Sequence, residues 1–383
     1  MQKNLYAYAW DFAYEGLDTV LERIKAWGID GIAMAVTYHA GKFILPHNPR
    51  HRVYFPEDGT AYFIPDDSCY PGPIKPVPAS FVQSNNMLAD VADGCKRFGL
   101  KLTAWTVCMH NTRLGYMHPE ITVQNVYGDR YPYCLCPAQP QAAEYVLGLI
   151  SDLASNYDLD TIFLEALGYM GFPHGFHHEF YGIRLNTCHE ALLGLCFCDA
   201  CSDRARQSGI DIERTAQIAR ENLMPIFTSD TESDGCDLLD LVDKYPDLAE
   251  FLKMRSVVAL DLLSEVRRIA DGNDVKVDYF GPSPYSRALP EGTDTARAAA
   301  IADHYVIPVG SPDPGAAQDD IEHAKSLMPS EKIIISINMG MNSIPDRENF
   351  REKMALLQKH NLAGCNLYNY SILPFERLDW IKE

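Results

Sequence analysis

The sequence predicts a single (β/α)8 barrel that spans residues 1–383 and carries long insertions after its second and fourth strands. Eight short β-rich segments recur along the chain, and amphipathic stretches long enough to cross back over a sheet separate most of them. The first turn, AWDFAYEG, lacks the G-x-G-x-x-G loop of an open dinucleotide-binding sheet. Eight strand–helix repeats without that loop favour the closed barrel.

The predicted strands are rich in β-branched and aromatic residues. In chain order they cover residues 5–10, 31–36, 100–107, 161–166, 275–280, 304–309, 333–338 and 364–370. Helical patterns such as GLDTVLERIKAWG and NFREKMALLQKHN lie between them, and PFERLDWIKE is expected to be the closing helix. This assignment leaves little sequence for a second domain.

Composition narrows the class of function. A formal net charge of −19 argues against a nucleic-acid partner, because such proteins usually carry a basic surface. The start of the chain does not read as a signal peptide, and no apolar run suggests a membrane span, so a cytoplasmic protein is expected. The 11 cysteines are then expected to be free thiols or metal ligands rather than a disulfide framework. Homo-oligomer formation stays open.

Two connections are longer than a βα loop requires, at residues 37–79 and 167–274. Both follow the carboxyl ends of strands, where barrel enzymes keep their active sites. The 37–79 insertion is expected to form a wall over the barrel mouth. Its Arg50 and Arg52 suggest an anionic group on the substrate, with a solvated basic loop as the alternative.

Polar and aromatic side chains lie near the predicted ends of several strands. A carbohydrate site needs such a mixture, since rings pack against sugar faces and polar groups bind hydroxyls. The alternative is that strand ends facing solvent are polar in any barrel. The candidate substrate-binding residues are Trp10, His39, His110, Asn111, Asn338, Tyr368 and Asn369.

Glu165 is the sharpest catalytic candidate, because TIFLEALGYMG places one carboxylate at the end of an apolar strand. Burial there would raise its pKa, as a general acid requires. A carboxylate held in a structural salt bridge is the alternative reading.

Three pieces of the chain carry a family resemblance: HPEITVQNVYGDRYPYC (118–134), LEALGY (164–169) and CFCDAC (196–201). With them, residues 116–205 resemble the catalytic barrel of the family 42 glycoside hydrolases, the β-galactosidase-like members of the retaining (β/α)8 glycosidase clan. The resemblance implies that Glu165 is the acid/base residue. It also implies a structural zinc bound by Cys134, Cys196, Cys198 and Cys201, and four thiolates suit such a closed site.

The alternatives to Cys134 are Cys136 and, more weakly, His177, His178 and Cys188. No organic cofactor is predicted.

The chain also departs from the family pattern. Leu164 replaces the family's asparagine before the acid/base glutamate, and IIISINMGMNSIP has no carboxylate for the seventh-strand nucleophile. The second carboxylate is therefore predicted to be Asp278 on the adjacent fifth strand, followed by Asp11 and Asp313. Whether the reaction retains or inverts configuration stays open.

These features predict a glycosidase that cleaves a small glycoside by carboxylate acid/base catalysis. One alternative is a barrel lyase or isomerase acting on a sugar-like substrate through Glu165 and His39, His110, His177 and His178, with a catalytic metal ion. The other is a carbohydrate-binding protein without catalysis.

Overall fold

The fold is a closed barrel of eight parallel strands, seen in a computed structural model that describes residues 1–83, 85–176, 179–228, 235–282 and 287–382. Each strand pairs with its neighbours in the chain, and β1 closes the ring by pairing with both β2 and β8. The predicted (β/α)8 barrel is confirmed. The barrel strands are β1 (Gln2–Ala7), β2 (Gly31–Tyr38), β3 (Lys101–Val107), β4 (Thr161–Glu165), β5 (Lys276–Phe280), β6 (His304–Val309), β7 (Ile333–Asn338) and β8 (Gly364–Tyr368).

The strands are apolar along most of their length because a barrel covers both of their faces. Every residue of β2, GIAMAVTY, is buried. One side of each strand packs into the barrel interior and the other packs against the outer helices. This explains why the strands appear in the sequence as continuous apolar runs rather than alternating patterns.

The helices are amphipathic and begin or end at recognisable residues. The chain leaves α3 at Gly99, whose φ of 62° is left-handed, and a proline begins the long helix α10. The helices are α1 (Ala9–Glu15), α2 (Leu17–Ala26), α3 (Met87–Phe98), α4 (Thr112–Met117), α5 (Pro140–Asn156), α6 (Thr187–Leu193), α7 (Asp199–Gln207), α8 (Ile212–Thr228), α9 (Leu238–Lys244), α10 (Pro246–Asp271), α11 (Thr295–Ile301), α12 (Pro314–Leu327), α13 (Arg347–Lys359) and α14 (Phe375–Leu378).

The connection after β2 contains a small antiparallel pair, Phe43–Ile44 with Val53–Tyr54. It also contains Thr60–Ala61, which pairs with the end of β2, and Val77–Pro78, which pairs with Thr60–Ala61. Aromatic rings of this connection pack on the residues that follow β1. The connection is therefore anchored to the barrel beside its carboxyl-terminal end. The short antiparallel pair Thr122–Gln124 with Arg130–Leu135 follows β3.

The connection after β4 carries α6 to α10, and its inner residues form a hydrophobic cluster separate from the barrel core. A disulfide joins Cys188 in α6 to Cys236, just before α9. The expectation that the cysteines are free thiols or metal ligands is therefore wrong for this pair, and the other nine are free. The single-domain organisation stays a prediction.

The position of β1 corrects one predicted site residue. The strand ends at Ala7, three residues before the predicted end, so Trp10 lies in the first turn of α1. Its side chain is completely buried, and its ring stacks on Tyr8 at a centroid distance of 4.2 Å. Trp10 is thus part of the packing beneath the β2 connection rather than of a substrate surface.

Within the described ranges, no helix combines the length and the apolar character needed to cross a membrane.

Candidate active site at the carboxyl-terminal end of the barrel

Glu165 is the last residue of β4, and its half-buried side chain lies at the carboxyl-terminal end of the barrel. The indole of Trp105 on β3 donates a hydrogen bond from Nε1 to Glu165 Oε2 at 2.5 Å. Burial raises the pKa of Glu165, while this hydrogen bond and the nearby His39 partly oppose the rise. The raised pKa and the fixed orientation are the properties expected of a general acid.

A cavity of about 300 Å³ opens over the centre of the barrel and reaches Glu165. We call it the central cavity. It is lined mainly by aromatic rings, with a few polar groups, which is the composition of small-ligand sites in general. Its lining residues include Tyr6, Tyr38, Trp105, Glu165, Phe280, Ser336, Asn338 and Tyr368.

Hydrogen bonds between tyrosine hydroxyls fix the wall of the central cavity. Tyr8 Oη lies 3.0 Å from Tyr38 Oη and 2.9 Å from Tyr368 Oη. Tyr6 Oη lies 3.2 Å from Ser336 Oγ. Because each hydroxyl has a partner, the rings are held in place before any ligand binds.

A second cavity of about 290 Å³, the side cavity, also reaches Glu165 and extends toward the loops after β4 and β5. It contains Arg287 and Glu291, which form an ion pair. Burial raises the pKa of Glu291, and the Arg287 charge partly opposes the rise. The side cavity thus holds a second carboxyl group in addition to Glu165.

A third cavity of about 400 Å³ lies next to both and is called the histidine cavity. His39 stacks on His110 at 4.1 Å between ring centroids, and His174 approaches His110 edge-on at 4.9 Å. Burial, with the neighbouring His39 and His174, lowers the pKa of His110 to about 2, so this ring is neutral at physiological pH. His39 and His110 thus line a cavity that Glu165 does not line, and their role in substrate binding stays a prediction.

Asp278 is the clearest correction among the predicted catalytic residues. Its carboxylate is buried and lies 2.7 Å from His304 Nδ1. Both residues line a cavity of about 110 Å³ with Lys101, Thr161 and Gly364, which are the first residues of their strands. Asp278 therefore lies at the opposite, amino-terminal end of the barrel.

Strand register explains this placement. Asp278 is level with Phe163 of β4, two residues before Glu165, and the β5 residue nearest the level of Glu165 is Phe280. Adjacency of two strands does not bring their acids together when the acids differ in height along the barrel.

The other two carboxylates are also engaged elsewhere. Asp11 is buried and accepts hydrogen bonds from Ser371 Oγ and the Tyr8 backbone. Asp313 caps α12 by accepting from the Gly315 backbone.

The remaining substrate-binding predictions divide into two groups. Asn338 and Tyr368 line the central cavity, and their binding of a carbohydrate stays a prediction. Asn111 caps α4 by accepting from the Leu114 backbone, and Asn369 is completely buried. These two asparagines line none of the three cavities, because local backbone contacts occupy or enclose them.

Arg50 and Arg52 do not line the cavities either. Arg50 lies over the ring of Tyr14, and Arg52 donates to the Pro46 carbonyl. The cation in the side cavity is Arg287 instead.

Four buried cysteines form a cluster beside this end of the barrel: Cys136, Cys196, Cys198 and Cys201. Their sulfur atoms all lie within 4.8 Å of one another. The sulfur of Cys136 is 3.5, 3.6 and 3.7 Å from those of Cys201, Cys196 and Cys198. A cluster of this kind can hold a metal ion.

The fourth thiol is thus that of Cys136, and the choice of Cys134 is wrong. Cys134 lies within the antiparallel strand Arg130–Leu135, and its sulfur contacts the Leu135 carbonyl. Cys136 follows the end of that strand, where the chain turns toward α5 and brings the sulfur to the start of α7. Cys188 is excluded because it is in the disulfide, and His177 and His178 lie outside the described residues.

Several residues of the site were not predicted from the sequence. Trp105 and Tyr6 lie within strands, and only the barrel register turns their rings toward Glu165. Arg287, Glu291 and His174 lie in irregular loops, where no periodic pattern shows direction. A search for acids in the loops after strands would have found Glu291, but not its orientation.

No family model matches the chain, and no curated protein matches it in sequence. Solved structures do match. The β-galactosidase of the psychrophilic Marinomonas ef1 aligns with a TM-score of 0.58 and 12% identity, over 100% of this chain and 58% of its own length. This chain therefore spans little more than half of that protein.

Two glycoside-hydrolysing domains match over nearly their whole length. The PgaB (BpsB) glycoside hydrolase domain of Bordetella bronchiseptica has a TM-score of 0.59 at 13% identity, covering 96% of this chain and 94% of that one. The catalytic domain of β-amylase from Paenibacillus polymyxa has a TM-score of 0.59 at 13% identity, covering 100% and 96%. At such identities the likeness shows the barrel fold, and the resemblance to family 42 stays a prediction.

Proposed function

We propose that this protein is a glycoside hydrolase whose general acid/base is Glu165. The observation that carries the proposal is the position of its carboxyl group, which lines both the central and the side cavity. A glycoside that spans the two cavities would place its scissile bond beside this group. The three structural neighbours named above, a β-galactosidase, a glycoside hydrolase domain and a β-amylase, support the same class of reaction.

The central cavity is suited to hold the sugar ring that is cleaved. The rings of Tyr38, Trp105 and Tyr368 offer apolar faces, and Ser336 and Asn338 offer hydrogen-bonding groups. Because burial raises the pKa of Glu165, its carboxyl group can carry the proton that the glycosidic oxygen takes when the bond to the anomeric carbon breaks. The Trp105 hydrogen bond holds the carboxyl group in one orientation.

Glu291 is the second carboxylate of the proposal. It shares the side cavity with Glu165, and although burial raises the pKa of Glu291, the adjacent Arg287 charge partly opposes the rise. Two carboxyl groups in different environments are the usual equipment of a glycosidase, one protonated and one ionised. Glu291 replaces Asp278, Asp11 and Asp313 in this role because those three line neither cavity at Glu165.

Binding without catalysis is the second candidate. The end of β7 carries Asn338, and among the described residues that line the central cavity Glu165 is the one acid. A lyase or isomerase is less well supported, because the neutral His110 ring lies in a different cavity from Glu165.

The substitution Glu165→Gln tests the proposal. It keeps the shape of the side chain and removes the transferable proton, so kcat on a glycoside with a poor leaving group should fall by roughly 10²–10⁴-fold. Aryl glycosides with activated phenol leaving groups should lose less. The measurement is steady-state kinetics over a panel of p-nitrophenyl and alkyl glycosides, with Glu291→Gln assayed in parallel.

Glu120→Gln is the matched control, since Glu120 is an exposed acid that lines none of the three cavities. It should retain the wild-type rate. A folded Glu165→Gln protein with wild-type kcat on poor leaving groups would refute the assignment. Sugar binding by the wild type without turnover of any glycoside would favour the binding protein.

We also propose that the four-cysteine cluster binds one structural zinc ion. Four thiolates at Zn–S distances of about 2.3 Å stand about 3.8 Å apart in a tetrahedron. The sulfur distances of 3.5–3.7 Å from Cys136 are close to that value. We expect about one zinc per chain on metal analysis, and far less in Cys198→Ser. A chain purified without chelator, under reducing conditions and free of zinc, would contradict this.

A further inference from the structure

The histidine cavity adds space beside the two cavities that Glu165 lines. His174 lines both this cavity and the side cavity. Tyr38 of the central cavity stacks on His39 of the histidine cavity at 4.3 Å between ring centroids. The histidine cavity thus adjoins both cavities that Glu165 lines, and at about 400 Å³ it is large enough for a small-ligand site.

Its lining combines an aromatic surface with several polar groups. Phe176 is 50% exposed and contacts Tyr133 edge-on, which leaves ring surface open to the cavity. The His110 ring is neutral, and a neutral imidazole offers one donor and one acceptor. The hydroxyl of Thr112 and the carboxylate of Asp58 complete a set that can bind hydroxyl groups.

Other ligand classes fit less well. An anion would meet the Asp58 carboxylate in the cavity, and neutral His110 supplies no positive charge. A metal ion needs convergent ligand atoms. Within the described residues, the set that meets this condition is the four-cysteine cluster, not the histidines.

We propose that the histidine cavity binds an additional neutral sugar unit, so that the natural substrate is an oligosaccharide rather than a simple glycoside. The inference rests on the proposed function, because it names the substrate class of the same site. Phe176 would pack against the face of this sugar, and His110, Thr112 and Asp58 would bind its hydroxyls. A ring of that kind adds affinity without touching the bond that is cleaved.

Calorimetric titration of the Glu165→Gln protein tests the inference, because it measures binding without turnover. The probes are matched di- and trisaccharides of four series: cellobiose and cellotriose, maltose and maltotriose, diacetylchitobiose and triacetylchitotriose, and β-1,4-galactobiose and galactotriose. We expect one series in which the trisaccharide binds at least tenfold more tightly than the disaccharide. Adding Phe176→Ala should abolish most of that difference.

Tyr181→Ala is the matched control, since Tyr181 is an aromatic residue of the same loop that is 91% exposed and lines none of the cavities. It should keep the tenfold difference. Equal or undetectable binding of both sugars in every series would overturn the inference, as would a difference that survives Phe176→Ala.

The two proposals fail separately. If the wild type hydrolyses nothing in the panel but shows the difference that depends on Phe176, the cavity is a sugar site and the hydrolase assignment is wrong. If the protein hydrolyses aryl glycosides but binds no trisaccharide more tightly than its disaccharide, the hydrolase proposal stands and the proposal of an additional sugar site is wrong.

Discussion

Glu165 and Asp278 lie on neighbouring strands of the barrel, and burial raises the pKa of both carboxyl groups. They differ in what surrounds them. Asp278 is enclosed at the amino-terminal end and paired with His304 at 2.7 Å. Glu165 is half-buried, accepts a hydrogen bond from the neutral Trp105 indole and borders two cavities.

The difference shows that a raised pKa alone does not identify a catalytic acid. Both carboxyl groups are desolvated, but Glu165 lines cavities of about 290 and 300 Å³, whereas Asp278 lines one of about 110 Å³. A buried acid paired to a histidine and closed off from large cavities is expected to support the fold. Access and orientation, together with the pKa, therefore distinguish the two carboxyl groups.

Asp278→Ala should produce the largest contrast with Glu165→Gln. It removes the partner of His304 and leaves a small void, so the free energy of unfolding should fall by roughly 1–3 kcal/mol. Because Asp278 lies at the far end of the barrel, kcat should stay within about twofold of wild type. Urea denaturation and glycosidase kinetics on the same preparation measure the two effects.

Asp278→Asn tests the structural role of Asp278 through the pH dependence of the free energy of unfolding. Since burial raises the pKa of Asp278, the folded protein binds this proton more tightly than the unfolded chain does. This contribution to stability is therefore present at low pH and is lost as pH rises from the unfolded value of about 3.9 through the folded pKa. Asparagine cannot titrate, so the free energy of unfolding of the variant should fall less as pH rises. A large loss of kcat in a stable Asp278 variant would instead make this residue catalytic.

The barrel could be predicted because its signal is repeated. All eight predicted strands overlap observed ones, since continuous apolar runs are the physical requirement of strands covered on both faces. Boundaries were harder to place. The run LYAYAW continues from β1 across Tyr8 into α1 without any change in polarity, and this error placed Trp10 at the substrate surface.

The site was less predictable because it depends on the height of each residue along the barrel axis and on the direction of its side chain. The position of Glu165 at the end of β4 could be predicted, because it is a single acid that ends an apolar strand. Asp278 could not be excluded, since strand stagger is not visible in one sequence. The choice between Cys134 and Cys136 depended on where a short strand ends, and Glu291 lies in a loop without periodicity.

Trp105→Phe should give a smaller effect that bears directly on the environment of Glu165. The Nε1–H group donates to the carboxylate and so lowers its pKa, opposing the effect of burial. Without this donor the pKa should rise further, and the basic limb of the kcat–pH profile, where the general acid loses its proton, should move to higher pH. The maximal kcat should fall about three- to tenfold, because one orienting hydrogen bond is lost.

Trp10→Phe is the control for the loss of an indole. Trp10 is as deeply buried as Trp105, but its Nε1 has no hydrogen-bond partner within the described residues, and it does not line the cavities. This variant should lose stability through the smaller ring and keep the wild-type pH profile. The same profile shift in both variants would mean that ring packing, rather than the hydrogen bond, sets the pKa of Glu165. If Trp105→Phe leaves the basic limb unshifted, the group that titrates there is not Glu165, because the hydrogen bond from Trp105 acts on the Glu165 carboxylate. That result would contradict the role of Glu165 as the general acid.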